Sequence, residues 1–252
     1  MSPYTSRPCQ RLLVGVTGSV HAVQILDHLR PLRERFADEI KVIMTATAAE
    51  MIPPRVVELV ADEVHTGIWG TEKLRGPHIK LAEWAQLFVV VPATANVLAK
   101  AAHGIADDLL TTALLAADCP TVFAPAMNPL MWRRPVVRRN VEQLRRDGHV
   151  VIQPSIGASV TTGRLDVGLT PTPETVMAHC MHTHMRTLRG EYWREATATP
   201  PRTPAAAAVT LLPASIPVAP ERAERSGSSK RSADSERSGG SERKEPSVNG
   251  AA

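Results

Sequence analysis

Residues 11–19 read Arg-Leu-Leu-Val-Gly-Val-Thr-Gly-Ser, a short apolar run that turns at Gly15 and Gly18. The next segment, AVQILDHLRPLRERF, sets Val23, Leu26, Leu29 and Leu32 at helical spacing. The alternation then repeats down the chain. EIKVIMTATA, LFVVVPATAN, TVFAPAMN and HVVIQPS are further strand-like runs, and NVLAKAAHG, LLTTALLAA and VVRRNVEQLRRDG lie between them as helices. Strands that are apolar throughout, separated by helices, predict a parallel sheet covered on both faces. Right-handed crossovers place every strand's C-terminal end on one edge, where such sheets bind ligands. Four strand ends carry small or polar residues there: Thr17-Gly18-Ser19, Thr45-Ala46-Thr47, Pro92 through Asn96, and Pro125 through Asn128.

Composition divides the 252 residues in two. Up to about 190 the chain is rich in Ala, Val and Leu. Beyond it, Pro, Ala, Ser, Arg and Glu dominate, and such a stretch buries too little apolar surface to offset an ordering entropy of roughly 1–2 kcal/mol per residue. We expect a folded domain over 1–190 and a disordered low-complexity tail over 191–252. The net charge is +4, but the arginines at 133, 134, 138, 139, 145 and 146 read as a solvated face without interleaved aromatics, which argues against nucleic acid. Cys9, Cys119 and Cys180 are too few and too scattered for a disulfide framework. The N-terminus has no apolar signal core, and no apolar run approaches the ~18–20 residues that span a bilayer; LFVVVPA is interrupted at Pro92. The expected location is cytoplasmic, with no membrane partner.

Gly15 through Ser19 follows a strand and opens a helix, a turn that brings backbone N–H groups to an anion; Ser19 as a plain N-cap is the alternative. It is not GxGxxG, and no Walker lysine follows. Asp107 and Asp108 are candidate caps for the next helix, with Asp107 toward the cofactor neighbourhood. His103 reads as structural. His179-Cys180-Met-His182-Thr-His184 fits no usual zinc spacing, and no metal is expected.

Two blocks are far more specific: Pro92-Ala-Thr-Ala-Asn96 and Pro125-Ala-Met-Asn-Pro-Leu-Met-Trp132. With LLVGVTGSVHA, HIKLAEWA and AAHGIADDLLTTALLA in the same order, the chain from about Leu12 to Pro173 resembles the flavin-dependent cysteine decarboxylases. That family joins phosphopantothenoylcysteine decarboxylases to the peptidyl-cysteine decarboxylases of lanthipeptide- and linaridin-type biosynthesis. The resemblance implies a Rossmann-like (flavodoxin-like) α/β fold and FMN as cofactor, FAD being possible. It places Gly18, Ser19 and Val20 at the flavin phosphate, Thr45 and Thr47 beside the cofactor, Thr94, Ala95, Asn96 and Val97 at the phosphate and isoalloxazine, and Ala126 and Met127 along the ring. It makes His78 the catalytic histidine and gives Asn128 the substrate carboxylate or amide. A histidine titrating near neutrality suits thiol proton transfer. Asn128 offers a donor and an acceptor, or simply an Asx turn before Pro129. Met131 is assigned to the substrate side, and Trp132 to the core.

The coenzyme A branch of that family carries a cysteine, in an Ala-Cys-Gly-Asp context, that protonates the enethiol. Here the matching region, residues 153–166, has none. Ser159, Thr161, Thr162, Gly163 and Arg164 instead resemble the substrate clamp of the peptidyl branch, with a hairpin of no substrate role as the alternative. The reading is therefore oxidative decarboxylation of a precursor peptide's C-terminal cysteine, giving an aminoenethiol for aminovinyl-cysteine ring formation. The partners implied are that peptide, further biosynthetic enzymes, and copies of the same chain in a homo-oligomer, a trimer or an assembly of trimers. Phosphopantothenoylcysteine decarboxylase and a non-catalytic regulatory flavoprotein are the alternatives.

Overall fold

The computed structural model describes residues 7–67, 76–158, 163 and 165–190. The expected tail at 191–252 lies outside them. Six strands form one parallel sheet: β1 (Cys9–Val16), β2 (Ala37–Met44), β3 (Glu63–Thr66), β4 (Leu87–Ala93), β5 (Thr121–Pro125) and β6 (Val150–Val151). Their spatial order is β3-β2-β1-β4-β5-β6, the Rossmann order, in which the winding reverses between β1 and β4.

The register explains the unbroken apolar runs. Val42, Val14, Val89 and Val122 pair in a row across four strands and point to one face. The next row, Ile43, Val90, Phe123 and Val151, points to the other, with Gly15 between Ile43 and Val90. Side chains alternate faces along a strand, so a strand covered twice must be apolar at every position. Each such side chain contributes about 1.5–3 kcal/mol of burial, an upper bound.

The first face is covered by α1 (Ile25–Arg35), α2 (Ala46–Met51), α3 (Pro54–Val57) and α9 (Pro173–Leu188), through Ile25, Leu29, Leu32, Ala48, Val57, Val176 and Cys180. The second is covered by α4 (Pro77–Trp84), α5 (Ala95–His103), α6 (Leu109–Ala116), α7 (Pro129–Trp132) and α8 (Pro135–Arg146). Helix α8 buries Val137, Val141 and Leu144 while Arg138, Arg139, Arg145 and Arg146 stay exposed, the solvated face expected of those arginines. Trp132 is buried beneath the Arg138 guanidinium.

Three elements differ from the sequence reading. The helix after β1 begins as a 3-10 turn, Val20–Gln24, so Val23 is exposed and Ala22 takes its place in the buried stripe. Strand β4 continues through Pro92 to Ala93; the missing N–H is tolerated because the ladder to β5 shifts register between Val90 and Ala93. Strand β3 is an additional edge strand. Beyond the sheet, β7 (Ser155–Ala158) and β8 (Leu165–Leu169) form an antiparallel hairpin. Among the described residues, no helix is long and apolar enough to cross a membrane.

Candidate cofactor and substrate site

The ends of β1, β2 and β4 open onto a cavity of about 420 Å³, at the point where the winding reverses. Each strand hands over to a helix through a hydroxyl. Thr45 caps α2, accepting from the Ala48 N–H at 3.3 Å, and Thr94 caps α5, accepting from the Val97 N–H at 3.4 Å. Ser19 accepts from the His21 N–H at 3.3 Å. A hydroxyl that accepts from its own helix keeps its proton to donate outward.

Thr17 is buried and joins two of these ends. Its hydroxyl donates to the Pro92 carbonyl at 2.7 Å and accepts from the Thr94 N–H at 3.1 Å. Gly18 packs against Thr47 so closely that an added Cβ would lie 2.6 Å from the Thr47 Cβ and nearer still to its Cγ2. The cradle therefore requires glycine at 18.

Gly18, Thr45, Thr47, Thr94, Ala95, Asn96 and Val97 all line the cavity, with Met131. Ser19 and Val20 lie beside it on the 3-10 turn and are not part of its lining. Ala126 and Met127 are buried, Met127 in the core with Phe123 and Trp132, and neither lines it. Ala46 lines it as its strand end implied, and the sequence reading missed Lys100 and Thr111 as lining residues. Lys100 was signalled by spacing: it lies four residues after Asn96, on the same face of α5. Asp108, rather than Asp107, borders the cavity, because Asp107 turns to the Lys100 ammonium at 2.6 Å. Asp108 caps α6 in a reciprocal box with Thr111.

His78 is the second residue of α4, after Gly76 in the left-handed conformation (φ 64°) and Pro77. Helix α4 packs against α6, whose first turn borders the cavity, but His78 is not among the lining residues. Asn128 caps α7 with its Oδ1, which accepts from the Leu130 N–H at 2.8 Å. One lone pair of that oxygen is thereby used, and the NH2 donor pair is left for a ligand, complementary to a carboxylate.

The hairpin is tied to this loop. The Met127 N–H donates to the Gly168 carbonyl at 2.9 Å, a Cβ on Gly168 would collide with the Met127 carbonyl, and Arg133 pairs with Asp166. Of the expected clamp residues, Gly163 is described and exposed; Ser159, Thr161, Thr162 and Arg164 lie outside the described residues.

The three thiols are remote from acid chemistry. Burial pushes Cys9 up to about 11 and Cys119 up to about 12, and raises Cys180, which is wholly buried in the core. His184 of α9 bonds the Pro8 carbonyl at 2.9 Å and meets Phe36 edge-on. No group of three potential ligands able to hold a metal occurs among the described residues. Donor chemistry at the cavity is thus hydroxyl, amide and backbone N–H, with the Lys100 ammonium on one wall, around a Cβ-free turn, which fits a phosphate carried on a polyhydroxyl chain.

The flavoprotein family model matches residues 1–185, and the chain belongs to that family. It is 42% identical over 145 residues to the mersacidin decarboxylase of Bacillus sp. (strain HIL-Y85/54728), covering 58% of this chain and 74% of that one. The crystal structure of SpaF, described as an FMN-dependent cysteine decarboxylase, superposes with a TM-score of 0.60 at 39% identity, covering 70% of this chain and 97% of SpaF. The coenzyme A biosynthesis bifunctional protein CoaBC of Mycolicibacterium smegmatis is 40% identical over 149 residues, 59% of this chain. The match spans only 36% of that longer relative.

Proposed function

We propose that residues 1–190 form an FMN-dependent decarboxylase that acts oxidatively on the C-terminal cysteine of a ribosomally made precursor peptide. The observation that carries the choice is the state of the thiols. A net non-oxidative decarboxylation requires an acid to protonate the enethiol carbon. All three cysteines of the chain lie outside the hairpin, and burial holds each thiol protonated and far from reactive. The reaction then ends at the aminoenethiol.

FMN, when bound, accepts the two electrons and proton equivalent taken from the cysteine Cα–Cβ–SH unit. The chain's own groups do the rest. Gly18, Thr45, Thr47, Thr94 and Asn96 hold and orient the cofactor through backbone and hydroxyl donors. The Asn128 NH2 receives the peptide carboxylate and aligns the bond that breaks. His78 takes the thiol proton. Met131 and the clamp residues that the resemblance implies, Ser159, Thr161, Thr162, Gly163 and Arg164, are assigned to the peptide end. Carbon dioxide leaves once the oxidised sulfur can accept the developing charge.

His78, like Asn128, is not among the residues that line the cavity. The site is taken to be completed between copies of a homo-oligomer, a trimer or an assembly of trimers, as the family resemblance implies. The test is purification followed by turnover. The protein should be yellow, release FMN on denaturation, and convert a peptide ending in Cys while ignoring the same peptide ending in Ser. A colourless protein that takes up neither FMN nor FAD overturns the reading.

A further inference from the structure

The cavity lining contains two charged residues, Lys100 and Asp108. Lys100 is held on three sides. Its Nζ lies 2.6 and 2.9 Å from the two Asp107 oxygens and 3.7 Å from Asp108 Oδ2. Asp108 is fixed in turn, since its Oδ1 accepts from both the N–H and the hydroxyl of Thr111 at 2.8 Å. Lys100 and Thr111 also border a smaller cavity of about 170 Å³ behind α5 and α6, so Lys100 forms part of the partition between two spaces. The Lys100 side chain is 19% exposed against 57% for Asp107. The carboxylate of Asp107 holds the ammonium above its ordinary pKa, and it stays charged.

One cation against two carboxylates leaves this wall with a net charge of −1 while Lys100 is present and −2 without it. A phosphomonoester ligand is an anion. Resting on the FMN assignment above, we propose that Lys100 is the positioning residue that sets the charge of the cofactor cavity. Clamped by Asp107 and Asp108, it offsets their repulsion of the phosphate and of the electron-rich reduced cofactor. Asp107 is then a brake on that effect. Its removal leaves the wall neutral.

This makes opposite-sign predictions for neighbouring substitutions. Apoprotein is titrated with FMN and with riboflavin, which lacks the phosphate, at low and high salt. Lys100→Met should weaken FMN about 3- to 10-fold at low salt, the order expected of a partly solvated charge. Riboflavin should change much less, and the FMN loss should shrink at high salt. Asp107→Asn should tighten FMN by a similar factor. The reduction potential of bound FMN should fall in Lys100→Met and rise in Asp107→Asn. Equal loss of FMN and riboflavin in both variants, or a lowered melting temperature with unchanged affinities and potentials, would mean that the trio only braces α5 against α6, and would overturn the proposal. Wild-type apoprotein that binds neither flavin sinks the cofactor assignment itself, and this proposal with it.

Discussion

The Thr17 hydroxyl donates to the Pro92 carbonyl across the ends of β1 and β4, at 2.7 Å and out of reach of solvent. With the Thr94 N–H donating back to it at 3.1 Å, one oxygen ties together the two strands between which the sheet reverses. Thr17→Val keeps the shape and strands both partners. Leaving buried polar groups unsatisfied costs about 1–3 kcal/mol, so the melting temperature should fall by roughly 2–10 °C for a domain of this size. FMN affinity should fall with it. Unchanged denaturant midpoint and FMN affinity would show that the two strand ends hold their spacing without this bond.

His28 makes the domain acid-sensitive. It is buried on α1, its Nδ1 has no hydrogen-bond partner among the described residues, and desolvation lowers its pKa to about 4, against the smaller opposing pull of Asp27 and Glu174; His21 reinforces the lowering. The unfolded chain therefore binds a proton near 6.5 that the folded chain refuses until about 4. Stability is whole above about 6.5 and falls as pH drops through that window, by on the order of 2–3 kcal/mol at its lower end. Chemical denaturation at pH 7 and pH 4.5 should show His28→Leu losing less on acidification than wild type. Equal losses would place the acid sensitivity elsewhere.

Asn128 allows its cap and its ligand role to be separated. Asp accepts from the Leu130 N–H as well as Asn does, so Asn128→Asp should melt within about 1 °C of wild type. It also replaces the NH2 donors with a negative charge facing a peptide carboxylate. Turnover of a Cys-terminated peptide should drop at least about 10²-fold. Wild-type kinetics in this variant would reduce Asn128 to an Asx cap.

His78 tests whether the site is shared. His78→Asn should retain FMN and lose turnover by about 10²–10⁴-fold. Neither His78 nor Asn128 lines the cavity; where the two meet across copies, His78→Asn and Asn128→Asp chains, unfolded together and reassembled, should recover turnover that neither has alone. No recovery in verified mixed oligomers would put both residues in one chain's site.

How much of this was legible beforehand follows from the range of the forces involved. Parallel strands at 12–16, 40–44, 87–91 and 121–124 announce themselves because two-sided burial leaves no polar position to blur the run. Strand β3 did not, because Glu63 pairs with Lys41 across the edge and with His65 on its own strand, a pattern that reads as loop in one dimension. Among the site residues, Gly18, Thr45 and Thr94 were legible as strand-to-helix hydroxyl turns. The face of Lys100 was legible from its spacing to Asn96, but its ion pairs were not, since they depend on Asp107 and Asp108 folding back from the start of the next helix. The burial of Met127 was equally hidden, set by the Gly168 carbonyl of a hairpin about 40 residues further on.

The last prediction concerns the electrons. Loss of carbon dioxide alone lightens a substrate by about 44 mass units, whereas loss of carbon dioxide with two hydrogens to the flavin lightens it by about 46. The first outcome needs a proton returned to the enethiol carbon and the flavin restored within the same turnover. The described cavity offers hydroxyls and amides, whose protons are held far more tightly than a thiol's, and the Lys100 ammonium, which its ion pair with Asp107 holds above its ordinary pKa. Cys9 and Cys180 are buried and Cys119 is half-buried, with Cys9 raised to about 11 and Cys119 to about 12, so a thiol reagent at pH 8 should label the native protein slowly and the denatured protein three times over. A Cys-terminated peptide should therefore appear about 46 units lighter, with one dioxygen consumed per turnover as the reduced cofactor is reoxidised. Under strict anaerobiosis the reaction should stop after a single equivalent. A loss of about 44 on phosphopantothenoylcysteine, with no peptide accepted and no dioxygen consumed, assigns the chain to the coenzyme A branch instead.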